Sequence, residues 1–173
     1  MSEFLIRAAQ VEDAAGLLAH LERIAAEPGN GVSYSSVAEL NMTEAQATRM
    51  IESHLEAENA LYLIAETDGK IIGEAHCGGG RLGYAGTLNL TITIAQEWRG
   101  KGVGAALLRH MIDWCRANPI VHRLELYVFP NNPAAIRLYE KMGFQLEGNH
   151  RQSYFKEGEY LDMLIMGMIF DRD

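Results

Sequence analysis

The chain has 173 residues, 48% of them hydrophobic, with a formal net charge of −8; that length predicts one ordinary domain over residues 1–173, with a core large enough to need no staples. The acidic balance excludes a nucleic-acid or anionic-membrane partner that relies on a broad basic surface. Two cysteines, Cys77 and Cys115, make neither a disulfide framework nor a metal cluster and read as reduced core thiols, and with no bilayer-length apolar stretch and no basic-then-apolar leader the expected compartment is the cytoplasm.

Residues 5–7 read as a short strand, followed by an amphipathic helix over 11–26 with Ala14, Leu17, Leu18, Leu21, Ile24 and Ala25 on one stripe. Pro28-Gly29-Asn30-Gly31 ends it, and the polar stretch 32–41 reads as a loop. Thr43 with Gln46 is a capping-box signature for a second helix, which carries Ala47, Met50, Ile51 and Leu55. Three strands over 61–66, 71–77 and 88–95 follow, separated by Asp68-Gly69 and Gly78-Gly79-Gly80, and predict an antiparallel meander. In the third, Leu88, Leu90, Ile92 and Ile94 share one face and Asn89, Thr91 and Thr93 the other, a polar face available to a ligand.

Next comes Trp98-Arg99-Gly100-Lys101-Gly102-Val103-Gly104-Ala105-Ala106-Leu107-Leu108, a glycine loop opening a helix that Pro119 stops. Residues 123–128 form a fifth strand. In the segment 132–144, Asn132 is a helix N-cap, Pro133 the first helical residue and Gly143 the C-terminal cap. Strands over 144–155 and 160–170, joined by Lys156-Glu157-Gly158-Glu159, close the chain as a hairpin. The apolar run 161–170 belongs either inside the domain or at a subunit contact.

Backbone N–H groups at a helix N-terminus lack intrahelical partners and the helix dipole adds positive potential, so a glycine loop there can hold a diphosphate by main chain. Three readings compete. Glycines can simply allow tight strand-to-helix packing. Alternatively, Gly100-x-Gly102-x-x-Ala105 satisfies a dinucleotide fingerprint, with Glu125 at about the spacing of a ribose-binding acid. That fold needs repeated βαβ units, whereas the strands before this loop run consecutively and Glu125 sits mid-strand. A Walker loop is absent. The third reading rests on the whole pattern: Arg99-x-x-Gly102-x-Gly104, preceded by Ile92-Thr93-Ile94, resembles the acetyl-CoA-binding motif of the GNAT N-acetyltransferase superfamily. Asn132-x-x-Ala135-x-x-x-Tyr139-x-x-x-Gly143-Phe144 is similar to the second motif of that family. The tail 148–166, with Arg151, Gly158-Glu159-Tyr160 and Asp162, resembles the branch that acetylates amino acids, polyamines or protein N-termini.

The resemblance implies an α/β GNAT-like fold, a mixed and mostly antiparallel sheet of about seven strands flanked by about four helices. It implies acetyl-CoA as cosubstrate, a small-molecule amine or peptide N-terminus as acceptor, and a homodimer. It also places cofactor contacts at Ile92, Thr93, Ile94, Arg99, Gly100, Lys101, Gly102, Val103, Gly104, Ala105 and Asn132, with the oxyanion donor on the main chain of 92–95. No metal is expected.

Acetyl transfer to an amine requires a neutral amine, a stabilised oxyanion and a proton for the departing thiolate. An alkyl ammonium with a pKa of about 10.4 needs a base. Glu74 and His76 share a strand face beside the motif strand, and Glu74 is the candidate base; the plainer roles are a solvated carboxylate and a structural imidazole. Tyr139 is the candidate acid, since a phenol near pKa ~10 is protonated at neutral pH. Ala135, Leu138, Tyr139 and Met142 also form a core-like stripe, and only the family motif with Asn132 turns that balance. Arg99 is expected on the diphosphate, and Tyr34 and Glu39 of the 32–41 loop are candidates for the acceptor side. Two other readings stand beside the enzyme: a non-catalytic acyl-CoA sensor, and a nicotinamide oxidoreductase.

Overall fold

The computed structural model describes residues 3–28, 31–32 and 36–171; Gly29, Asn30 and Tyr34 lie outside them. Local chemistry explains the early hairpin. Asp68 and Gly69 both take left-handed φ values (48° and 71°), as a two-residue turn demands, and this ties β2 (Ala60–Thr67) to β3 (Lys70–Gly79). β1 (Leu5–Ala8) pairs antiparallel with β2 at one edge of the sheet, and β4 (Thr87–Ile94) pairs antiparallel with β3.

The next strand, β5 (Arg123–Val128), runs parallel to β4 because a helix crosses between them. β6 (Gln145–Lys156) and β7 (Glu159–Ile169) form the final hairpin, and the sheet order is β1-β2-β3-β4-β5-β7-β6. β7 therefore lies between β5 and β6, which accounts for the apolar run in that strand within the domain itself.

Among the described residues five α-helices flank the sheet: α1 (Ala14–Ala25), α2 (Val37–Leu40), α3 (Glu44–Glu56), α4 (Val103–Ala117) and α5 (Pro133–Met142). This is one more than the sequence predicts. The extra one is the single turn α2 inside the supposed loop, started by Ser36, whose hydroxyl accepts the Glu39 N–H at 3.2 Å. A single turn leaves no periodic apolar stripe to read. The Thr43–Gln46 capping box forms as predicted, with Gln46 N–H on Thr43 Oγ1 at 3.3 Å and Thr43 N–H on Gln46 Oε1 at 2.7 Å.

α4 packs on one face, where Leu107, Leu108, Met111 and Cys115 meet Leu63, Ala75, Cys77, Leu88 and Leu124. α1 and α3 cover the other, burying Leu17, Leu21, Ala47 and Ile51 against Tyr62, Ile64 and Ile71. Each such aliphatic side chain contributes about 1.5–3 kcal/mol by leaving water. Both cysteines are buried free thiols, with Cys77 Sγ 3.1 Å from Met111 Sδ. The hydrogen bond to Cys115 and burial push the Cys77 thiol up, so it is no nucleophile at neutral pH.

β4 and β5 pair over three positions only: Thr87 with Arg123, Leu88 with Leu124, and Asn89 with Glu125. Beyond Asn89 they part, while β4 stays on β3 as far as Ile94 and β5 stays on β7 as far as Val128. The result is a wedge through the sheet.

Candidate active site

The wedge between β4 and β5 opens into a cavity of about 650 Å³ that reaches both faces of the sheet. On the α4 and α5 side its walls include Ile92, Ile94, Arg99, Gly100, Gly102, Gly104, Ala105, Asn132, Ala135, Leu138 and Tyr139. On the α1 and α3 side they include Leu21, Ile24, Leu40, Met42, Met50, Tyr62, Glu74, His76 and Thr93.

The main chain of β4 is oriented for a ligand in this gap. Ala95 N–H bonds Ile72 C=O at 2.9 Å, and the alternation of an antiparallel ladder then turns the N–H and C=O of Ile92 and Ile94 away from β3, toward the missing neighbour. Arg99 Nε–H reaches the Ile94 carbonyl at 3.0 Å from that side. At the start of α4, Gly102 is the N-cap with φ 89° and supplies no side-chain cap, so the first-turn N–H groups lack that partner. Gly104 allows close approach, since a Cβ there would lie 3.2 Å from Leu138 Cδ2. Asn132 Oδ1 caps α5 through Ala135 N–H at 3.2 Å and also lines the cavity. An elongated ligand with an anionic group fits this wall.

The remaining predicted contacts fall as follows. The Val103 side chain is fully buried in the main core, which leaves only its main chain at the helix start. Lys101 does not line the cavity; its ammonium sits 5.2 Å from the centre of the Trp98 ring. Arg99 lines it, but its guanidinium is ion-paired with Glu27. Thr93 turns its main chain to β3 and its hydroxyl to Glu74, so it serves the opposite wall from the one expected. In the 32–41 stretch, Leu40 rather than Glu39 lines the cavity.

Glu74 is 1% exposed, which corrects the expectation of a solvated carboxylate. Its Oε2 accepts from His76 Nδ1–H at 3.0 Å and its Oε1 from Thr93 Oγ1–H at 2.9 Å. Burial pushes this carboxyl up, but the hydrogen bonds of His76 and Thr93, with the positive charge that His76 and His20 carry when protonated, outweigh it and hold it below its ordinary value. With its Nδ1–H spent on Glu74, neutral His76 carries its lone pair on Nε2. The His76 ring stacks on Tyr62 at 4.8 Å and 21°, and His54 meets both rings edge-on at 5.2 and 5.4 Å. Sequence reasoning missed His20, which is 2% exposed on α1 with Nε2 2.9 Å from Thr93 Oγ1. The apolar stripe of that helix, with Leu17, Leu21 and Ile24 around position 20, was the available signal.

Tyr139 is buried in α5, packs edge-on against Phe144 at 5.9 Å and also lines the cavity. Burial pushes its phenol up to about 12.

The sequence model of the Acetyltransferase (GNAT) family matches residues 31–144 of this chain. The chain belongs to the GNAT acetyltransferase family. This GNAT chain is 38% identical over 78 residues to L-amino acid N-acetyltransferase AaaT of Escherichia coli (strain K12), a match covering 45% of this chain and about half (48%) of that relative. It is 27% identical over 168 residues to the L-methionine sulfoximine/L-methionine sulfone acetyltransferase of Pseudomonas paraeruginosa, covering 96% of this chain and 94% of the relative. A crystal structure of a GNAT-family acetyltransferase from Streptococcus pneumoniae superposes with a TM-score of 0.91 at 29% identity, over 98% of this chain and 100% of that one. The fold is shared as well with yncA of Salmonella typhimurium, solved with acetyl-CoA, at a TM-score of 0.85, 23% identity, and coverage of 98% and 95%. As a GNAT enzyme, the protein is an acetyl-CoA-dependent N-acetyltransferase, and the nicotinamide reading falls away.

Proposed function

We propose that this acetyltransferase acetylates the α-amino group of a small amino acid with an uncharged, largely apolar side chain. The carrying observation is the make-up of the α1 and α3 wall: Leu21, Ile24, Leu40, Met42 and Met50 surround a Glu74–His76 pair. Among the described lining residues Glu74 is the only carboxylate, and it is consumed by two internal donors. A polyamine with several ammonium groups would find no further counter-charge there. The relatives named for amino-acid and methionine-analogue acetylation support the same class.

In this reading acetyl-CoA supplies a thioester-activated acetyl group. Its holders are the α4 N-terminus from Gly100 to Ala105, the outward main chain of Ile92 and Ile94, and Asn132. Arg99 exchanges Glu27 for the diphosphate. His76 Nε2 takes the ammonium proton, with Glu74 fixing the ring and balancing the charge that forms. Outward N–H groups of β4 face the developing oxyanion, on the order of 3 kcal/mol per donor. Tyr139 holds the proton that the thiolate needs. The reaction runs in the cytoplasm as a direct transfer, and a second copy of the chain docks on the outer hairpin, where Leu146, Phe155 and Tyr160 are exposed; sedimentation velocity tests that pairing.

A thiol-release assay with acetyl-CoA over amino acids, polyamines, aminoglycosides and short peptides tests the acceptor. Fastest turnover of methionine-like or branched amino acids is expected. Preferential turnover of spermidine or a peptide would overturn it.

A further inference from the structure

A chain of hydrogen bonds leads from helix α1 along the sheet face it covers to Glu74, and its direction is fixed by one group. Arg23 Nη2 lies 3.2 Å from His20 Nδ1 and 3.1 Å from the Ile71 carbonyl, and a guanidinium only donates. His20 Nδ1 is therefore the acceptor, and the neutral ring must carry its hydrogen on Nε2, 2.9 Å from Thr93 Oγ1. Thr93 accepts from His20, which leaves its single hydrogen for Glu74 Oε1 at 2.9 Å. Glu74 Oε2 takes the Nδ1–H of His76 at 3.0 Å. Every hydrogen along Arg23, His20 and Thr93 points toward the carboxylate.

We propose that His20 and Thr93 are positioning residues that hold Glu74 as a double acceptor and thereby keep His76 in the tautomer whose Nε2 lone pair faces the acceptor. The proposal rests on the reading of the Glu74–His76 pair as the base. Hydrogen bonds in series polarise one another, so the donor from Thr93 is strengthened by the one it receives. Burial holds His20 neutral, its value pushed down to about 4, which keeps the chain in one polarity at working pH. Besides His76 on its own strand β3, the charged and titratable groups around Glu74 are His20 and Arg23 on α1, His54 on α3, Glu97 in the turn after β4, and Tyr62 on β2, which stacks on His76, with Thr93 on β4 as a neutral donor.

Removing a donor from the charged carboxylate raises the apparent value of the pair. In the purified enzyme with its best amino-acid acceptor, Thr93→Val should move the acid limb of kcat/KM upward by about one pH unit, a tenfold loss on that limb, with the KM for acetyl-CoA unchanged. His20→Leu should move it the same way. The double variant should go no further than Thr93→Val, because His20 acts only through the hydroxyl. His20→Gln, which puts an amide N–H where Nε2–H lies, and Thr93→Ser should each restore the wild-type limb.

Long-range ¹H–¹⁵N spectra of the wild-type protein at pH 7 should show His20 protonated on Nε2 and His76 on Nδ1, a readout that does not depend on any variant folding. An unmoved limb in both Thr93→Val and His20→Leu, additive shifts in the double variant, or His20 protonated on Nδ1 would each overturn the proposal. Glu74→Gln separates it from its foundation. If that variant keeps full activity, the base reading itself is wrong, whereas an inactive Glu74→Gln with unmoved limbs elsewhere sinks only the positioning role.

Discussion

Burial disfavours charge, and three buried ionisable side chains meet that cost in two ways. Tyr139 stays neutral: its phenol is pushed up to about 12 by desolvation, above an unfolded value near ~10. The stability it contributes is whole below the unfolded value and drains as pH rises through the folded one. Tyr139→Phe should lower kcat by about 10²–10³-fold with acetyl-CoA affinity retained, as steady-state kinetics and calorimetric titration would show. His20 also stays neutral, from the other side. Its folded value of about 4 lies below the ordinary 6.5, so the unfolded chain takes up a proton that the folded chain refuses. Stability should hold above pH ~6.5 and fall toward pH ~4 by about 3 kcal/mol, measured by urea unfolding, and His20→Gln should flatten that slope. His54, lowered by burial as well, adds to the slope in the same direction. Glu74 alone keeps its charge, and it does so through two donors. Tyr139 and Glu74 were legible in the sequence as candidates, but His20 was not, because the apolar stripe signals that the imidazole is buried without saying which strand residue it meets.

At the scale of elements, the two helices that carry the family motifs are marked by their own ends. Asn132, Pro133 and Gly143 bound α5 as the sequence predicts, with Gly143 at φ 101° and Asn132 Oδ1 on the Ala135 N–H. α4 starts at Gly102 with φ 89°, and a Cβ added there would meet no other atom within 4 Å, so conformation and not space demands glycine. Gly102→Ala should therefore cost about 1–2 kcal/mol in urea unfolding and weaken acetyl-CoA binding in titration, because the first-turn N–H groups are re-aimed. The one-turn helix α2 escaped the sequence because four residues are too few to show a period. The meander of β2 to β4 was readable from alternation and from the Asp68-Gly69 turn.

Across the whole molecule, the decisive object is the wedge between β4 and β5, which joins the α4–α5 wall proposed for acetyl-CoA to the α1–α3 wall proposed for the acceptor. The two walls belong to different helix layers, so they should respond separately to mutation. Met50→Trp, on the α3 side, should raise the KM for the amino acid about tenfold or more and leave acetyl-CoA affinity within about twofold. The sequence alone determined the elements, the glycine loop and the family, because those depend on short-range spacing: caps, turns and apolar periods act within a few residues of themselves. Only the tertiary structure decided that Glu74 is buried, that Arg99 is held by Glu27, and that Thr93 belongs to the acceptor wall. Those outcomes depend on where β4 leaves β5 and on which helix lies across the sheet, and the partners involved, His20 with Thr93 or Glu27 with Arg99, stand about seventy residues apart in the chain.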